Sequence, residues 1–387
     1  MMPVGSQHTR TEALIVGGGP AGAALGTLLA RRGRAVEIVE QSTAQHHTVC
    51  GEFLSWEAGH YIEQLGVDLG ALGALPIHGV RLAARRNIAH CELPFPALSL
   101  SRRRLDEALL SLASRAGAIV LRGSRVESLQ PCDLGWSAQL ANGGSRHAQT
   151  AFLATGKHDL AGHRRPPGRQ NNLVAFKMYY RLAPAQEQAQ RGWVDVFLFP
   201  GGYAGLLLTE DGGANLCLLA NRKALHDCRN DWPTLLMRMC IFSTPLAQRL
   251  ENAQPLLSKP LALSAMPFGM LLSHSKPGLW RLGDQAAVIP SFTGDGISIA
   301  LHSAQVAAEL YTQGATSAQL AQRLQTDLHR PVALATALSR LLIAAPALAH
   351  AAHIWPHLLR LLAAHTRVPA GAMLAGSRSP KQCAASV

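Results

Sequence analysis

Lysine is absent from the first 156 residues of this 387-residue chain, and aromatic residues amount to only 5%. Charged residues are also scarce at 16%, whereas hydrophobic ones reach 48%. Such a chain is not a disordered polycation, because unfolded chains stay unfolded for want of apolar surface to bury. The basic excess, 36 Lys and Arg against 24 Asp and Glu for a formal charge of +12, invites a nucleic-acid reading in which phosphate neutralisation drives affinity. Scattered charge and few aromatics for base stacking argue against it, so no nucleic-acid partner is expected. An anionic ligand or an anionic membrane surface accounts for the excess equally well.

The seven cysteines include no Cys-x-x-Cys pair and an odd one remains, which excludes a disulfide framework and points to reduced thiols in the cytoplasm. No metal site is expected: His46 and His47 sit in a polar loop, and His350, His353 and His357 recur at helical spacing with no Cys or carboxylate beside them. A long apolar run is missing too. Near the N-terminus, the four-residue burst Ala13–Val16 gives way to glycines and a helix pattern, unlike a secretory core. At the far end, Leu341 to Leu362 is apolar but broken by Pro346, Pro356, Arg360 and three histidines, so it does not span a bilayer. It either packs on the rest of the chain or lies on a membrane surface.

What is present is glycine in a particular order. A strand at Ala13–Val16, the turn Gly17-Gly18-Gly19-Pro20-Ala21-Gly22, a helix to about Arg32 and a strand ending in Glu40 form one βαβ unit. In this Gly-x-Gly-x-x-Gly pattern Gly17 permits a tight turn, Gly19 lets backbone approach a pyrophosphate, and Gly22 lets the helix close on the strand. The helix start at Pro20 and Ala21 offers unpaired amides to that pyrophosphate, and Glu40 accepts from a ribose hydroxyl. A strong helix follows at Arg103–Ala116. The middle of the chain alternates like an antiparallel sheet, with one helix expected over Trp232–Leu250. Late in the chain, strand Gly278–Leu282 leads through Gly283-Asp284 to Pro290, Gly294-Asp295-Gly296-Ile297 and a second long helix. The stretch Ser317–His365 reads as a helical cap interrupted by Pro331, Pro346 and Pro356.

With these residues in place, the sequence resembles the flavoprotein superfamily of aromatic hydroxylases (the PHBH-like family) and geranylgeranyl reductases. The resemblance implies FAD as cofactor: Gly283-Asp284 on the ribityl chain, the Pro290…Gly294-x-Gly296 helix start at the flavin pyrimidine, Arg102 reaching the FAD, and Ala154-Thr155-Gly156 as the strand end. It implies an α/β fold with a Rossmann-like, glutathione-reductase-type FAD domain, discontinuous over 1–80, 100–165 and 275–315. A β-rich substrate domain over 81–99 and 166–274 and a helical cap with polar tail over 316–387 complete it.

Thr48-Val49-Cys50-Gly51-Glu52 resembles the Cys-Gly stretch that the reductases carry beside the isoalloxazine. Pro200-Gly201-Gly202-Tyr203 resembles the start of their substrate motif, from which the chain departs with Gly205 for Trp and Leu207-Leu208 for Phe-Pro. The flavin halogenases of the same fold need an early lysine and a Trp-x-Trp motif, both missing here.

Cys50 reads either as a residue acting at the flavin or as a small core residue. Glu52 reads as a proton donor or a helix cap, and Tyr203 as a substrate-orienting hydroxyl or as sheet packing. The expected activity is oxygen insertion into an apolar aromatic or polyketide-like small molecule, with NADPH or NADH, or an external flavin reductase, as electron donor. Reduction of carbon–carbon double bonds in a prenyl lipid is the alternative, and a flavin-binding redox sensor without catalysis a third. Peripheral contact with the inner membrane face, through Arg164, Arg165 or the C-terminal arginines, is a further expectation.

Overall fold

A computed structural model describes residues 10–133, 135–344 and 365–373. The chain runs through β1 (Arg10–Val16), α1 (Pro20–Ala30), β2 (Val36–Glu40), β3 (Phe53–Leu54), α2 (Trp56–Gln64), β4 (Leu75–Ala84), β5 (Asn87–Ser99) and α3 (Arg102–Arg115). Next come β6 (Ile119–Arg122), β7 (Val126–Cys132), β8 (Gly135–Leu140), β9 (Ser145–Leu153), β10 (Leu173–Arg181), α4 (Pro184–Gln190), β11 (Trp193–Phe199), β12 (Gly202–Leu208) and β13 (Ala214–Asn221). Helices α5 (Arg222–Asp227), α6 (Trp232–Phe242) and α7 (Thr244–Arg249) precede the short strands β14 (Gln254–Pro255), β15 (Leu261–Ser264), β16 (Met270–Leu271), β17 (Leu279–Arg281) and β18 (Ala287–Val288). The long helices α8 (Gly296–Thr312) and α9 (Ser317–Ala344) follow.

The fully apolar segment Ala13–Val16 is buried because it is the middle of a sheet covered on both faces. It pairs in parallel with Val36–Val39 of β2 and with Thr150–Leu153 of β9. The sheet order is β6-β2-β1-β9-β8-β7, with β17 parallel to the end of β9. One face carries α1, α3 and α8, whose Leu25, Leu105, Leu109 and Leu301 are buried in a common core. A strand contributed some 130 residues later than β9 thus completes the sheet, as a split nucleotide domain requires.

The second sheet, in the order β14-β10-β13-β12-β11-β4-β5-β3 with β15 on β10, is mostly antiparallel. Its side chains alternate between two apolar layers. Leu206, Leu216 and Leu218 face α6 and α7, while Tyr203 and Leu219 face the first domain and α9. The second sheet takes in Phe53–Leu54 and begins its long hairpin at Leu75.

Two local expectations fail for identifiable reasons. The single helix over 232–250 is two, because the Ser243 hydroxyl accepts the Leu246 N–H and Pro245 sits in the first turn of α7, a start signal rather than helix interior. Pro331 does not interrupt the cap: it lies buried within α9 beside Leu328, Val332 and Ala335, burial that offsets the missing backbone donor. The region of Pro346, Pro356 and the histidines 350, 353 and 357 lies outside the described residues. No described helix is long and apolar enough to cross a membrane.

Candidate active site

At the end of β1 the chain turns through Gly17 with φ +107°, where a Cβ would stand 2.5 Å from the Ala154 carbonyl oxygen. A Cβ on Gly22 would stand 1.9 Å from the Gly17 carbonyl oxygen, so α1 seats on the turn only with glycine at both places. The N-cap Gly19 offers no side-chain acceptor to the first turn of α1, which leaves those amides for a ligand. Glu40 is fixed with Oε2 accepting the Gly18 N–H at 2.7 Å and Oε1 accepting the Ser42 N–H at 2.8 Å. Each oxygen keeps a lone pair for a further donor. The Arg102 guanidinium reaches within 3.7 Å of the Gly19 Cβ position and is gripped by both Asp106 oxygens at 2.7 Å. Burial opposes its charge, but the Asp106 carboxylate outweighs this and raises its pKa.

The opposite wall is the run after β17. Gly283 donates its N–H to the Ser303 hydroxyl at 2.8 Å, which turns Asp284 to the cavity wall. Gln285 donates to the carbonyls of Gly156 and His158 at 2.9 and 3.0 Å, joining this run to Thr155-Gly156. Pro290 and the turn Ser291–Thr293 lead to Gly294, Asp295, Gly296 and Ile297, all on the cavity wall. Asp295 stands at the start of α8 and makes no side-chain cap. It is 1% exposed, and its carboxylate oxygens find no well-formed hydrogen bond among the described residues. Burial holds its carboxyl well above the usual carboxylate range, against the pull of Arg367. A glycine cradle at one helix start, a paired arginine, an acidic residue at the end of β2 and a second uncapped helix start on one cavity fit an FAD-type dinucleotide.

Between the two walls runs the loop of Cys50, Gly51 and Glu52. Glu52 is fully buried, with φ +62°, and neither caps α2 nor faces solvent. Its carboxylate accepts the Arg102 N–H at 2.8 Å, the Tyr179 hydroxyl at 2.6 and 2.7 Å and the Asn215 amide at 3.0 Å. Lys177 Nζ, also fully buried, stands 2.7 Å from Oε1, off the hydrogen-bond axis, and 4.6 Å above the Tyr179 ring. Burial, reinforced by Glu52, raises the Tyr179 phenol. Asn215 also donates to the Cys50 carbonyl at 3.0 Å, and the Glu52 N–H points at Cys50 Sγ at 3.4 Å. His47, expected in solvent, is half-buried against Tyr179, 4.7 Å between ring centroids. Burial and then Lys177 lower its pKa.

The cavity, about 1080 Å³, continues past this loop onto the inner face of the second sheet. There its walls are Leu82, Val196, Leu219, Met266, Phe268 and Leu342, among others. Tyr203 lines it, but its hydroxyl lies 3.1 Å from Ser291 Oγ and accepts the Phe292 N–H at 3.2 Å. Gly205, opposite Cys217 in the β12–β13 register, leaves the wall flat. Burial pushes the Cys217 thiol up to about 11.

Lys177, Tyr179 and Asn215 escape a motif-based reading, yet a lone lysine inside the apolar strand Leu173–Tyr180 is a signal, since a buried ammonium demands a partner. Thr366 and Arg367, delivered to the cavity wall by the C-terminal segment, carry no local pattern at all.

Comparison with known proteins agrees with the cradle. Residues 10–151 match the FAD binding domain family. The chain is 27% identical to a menaquinone reductase of Mycolicibacterium smegmatis over 329 residues, 79% of this chain and 78% of that one. It is 26% identical to a tryptophan 2-halogenase of Chondromyces crocatus over 322 residues, 77% of this chain and 60% of that one. The solved structure of the flavin-dependent brominase Bmp2 superposes with a TM-score of 0.76 at 16% identity over 97% of each chain. The FAD-binding strand–turn–helix, the matched FAD binding domain and these sequence relatives make the chain an FAD-dependent oxidoreductase.

Proposed function

We propose that the protein reduces a carbon–carbon double bond in an apolar, prenyl-type substrate, with NADPH, NADH or a separate flavin reductase as the source of electrons. The observation that carries this reading is the chamber: beyond Cys50 its walls are mostly aliphatic, methionine and phenylalanine side chains, with Tyr203, Cys91 and Cys217 among them, a lining suited to hydrocarbon and poor at orienting a phenol. The one tyrosine there has its hydroxyl engaged by Ser291 and Phe292. The menaquinone reductase relative, matched over most of both chains, supports the same direction.

Saturating the bond takes one hydride, which reduced flavin would supply when bound, and one proton, drawn from solvent. Gly17–Gly22, Glu40, Arg102, Asp284 and the start of α8 would hold the cofactor. Cys50 and Gly51 lie on the cavity wall between that cradle and the chamber, whose apolar walls would exclude water. Lys157 Nζ is tied to the Val49 carbonyl and Lys177 to Glu52, so neither lysine offers a free ammonium to the chamber.

Oxygen insertion is the second reading, favoured by the fold it shares with flavin-dependent halogenases. The two separate cleanly. Anaerobic turnover of a prenyl quinone or prenyl lipid to a product heavier by two hydrogens supports reduction. Substrate-stimulated oxygen consumption, with oxygen-18 in the product and no anaerobic turnover, would replace it by oxygenation.

A further inference from the structure

The face of the second sheet turned away from the cavity is covered by α6 and α7, which bury Leu235, Met239 and Leu246 against it. The outer side of α6 is not polar. Met237 and Ile241, one turn apart, are 59% and 78% exposed, and at that spacing they form one stripe. The β4–β5 turn lies beside them: Thr244 donates its N–H to the Arg85 carbonyl at 3.0 Å, and the Arg85 guanidinium stands 5.7 Å over the Phe242 ring. Ile88 pairs with Ala83, whose side chain belongs to the α6 side of the sheet, so the exposed Ile88 projects to that side as well. Between turn and helix is a second cavity of about 510 Å³, floored by Phe199, Met239 and Phe242 and rimmed by Arg85, Arg86 and Arg238.

Charge is as one-sided as the apolar stripe. Residues 85–86 and 222–241 hold Arg85, Arg86, Arg222, Lys223, Arg229 and Arg238, and against them only Asp227 and Asp231. Both acids are engaged, Asp231 capping α6 through Thr234 and Asp227 pairing with Lys223. We propose that this face docks on an anionic lipid bilayer, with Ile241, Met237 and Ile88 entering the acyl boundary and the arginines meeting lipid phosphates. A second copy of the chain is the wrong occupant on electrostatic grounds: a two-fold contact sets the same patch against itself, a net +4 (six basic groups less two acids) facing +4. A bilayer supplies both complements at once. This proposal concerns where the enzyme sits and stands independently of the reaction it performs.

The test uses full-length, FAD-loaded protein in co-sedimentation with phosphatidylcholine vesicles, with and without phosphatidylserine. Binding is expected to the anionic vesicles alone, falling as salt rises. Arg85→Ser with Arg86→Ser should weaken partitioning roughly thirty-fold, and Met237→Ser with Ile241→Ser at least about tenfold. Flavin content and melting midpoint should stay at wild-type values in both. Ile119→Ser, equally exposed but on the far edge of the first sheet, should bind as wild type. Equal binding to neutral vesicles, or patch variants that bind as tightly as wild type, would overturn the proposal. So would displacement by inorganic phosphate at constant ionic strength, or a dimer in light scattering that Ile241→Ser dissolves.

Discussion

Lys177→Met breaks, from one side, the most buried ion pair among the described residues. Glu52 and Lys177 are both fully buried, and removal of one partner from such a pair costs about 3–5 kcal/mol because the other charge is left in a low-dielectric interior. Tyr179, Asn215 and the Arg102 amide still donate to the carboxylate, which argues for the lower half of that range. With unfolding entropy of about 2.1 cal/mol/K per residue over the whole chain, about 3–4 kcal/mol lowers the midpoint by roughly 4–5 °C. Scanning calorimetry of the holoenzyme reads this directly. Glu52→Gln combined with Lys177→Met removes both charges while keeping the shape, and should recover at least about half of the loss. The reasoning fails if Lys177→Met melts within about 1 °C of wild type, or if the double variant melts below the single one.

Three further expectations rest on other parts of the site. Gly22→Ala should fail to fold or to retain flavin, since its Cβ meets the Gly17 carbonyl at 1.9 Å; Gly19→Ala, with Arg102 no nearer than 3.7 Å, should fold yet bind FAD about tenfold or more weakly, as read by equilibrium dialysis. Cys50→Ala should fold and keep its flavin while turnover or product distribution changes; unchanged kinetics would leave Cys50 a packing residue. For Asp295 the folded state holds a proton that the unfolded chain has released, because burial raises its pKa, so wild-type stability falls as pH rises above the unfolded value of about 4. The midpoint of Asp295→Asn relative to wild type should therefore climb from about pH 4 and level off above the folded pKa, and a difference that is flat or shrinks with pH would contradict this.

The cradle was legible in the sequence because its logic is local. Gly17 and Gly22 act on atoms within a few residues of themselves, apart from the contact of Gly17 with Ala154, Gly19 meets the distant Arg102, and Glu40 closes a single βαβ unit. The Asp284 and Gly294–Ile297 segments were readable as a turn and a helix start, and only resemblance tied them to the same ligand. The surroundings of Glu52 were not legible, since its side-chain partners come from strands more than 120 residues away. No spacing rule links positions 52, 177 and 215. Their meeting follows from sheet register, with Lys177 opposite Cys217 and Tyr179 opposite Asn215, and register is a property of the folded pair of strands. The break at Ser243 was, by contrast, readable, because Ser-Thr-Pro is a start signal that the apolar spacing across 232–250 obscured.

Arg102 serves two places through different atoms. Its guanidinium, fixed by Asp106, stands at the Gly19 turn, while its backbone N–H is held by Glu52. Glu52 in turn is bonded to β10 and β13, the strands that carry the chamber walls Ala175, Cys217 and Leu219. The buried Glu52 carboxylate is therefore one of the bonds that tie the cofactor cradle to the chamber sheet, beside the Tyr203 bonds to Ser291 and Phe292. Movement of the Cys50 loop relative to the chamber must strain the bonds that Glu52 makes to Tyr179, Asn215 and the Arg102 N–H. A fixed distance between the two is what the proposed double-bond reduction needs: an apolar substrate would offer few polar handles, so positioning would have to come from walls that do not move relative to the cofactor site.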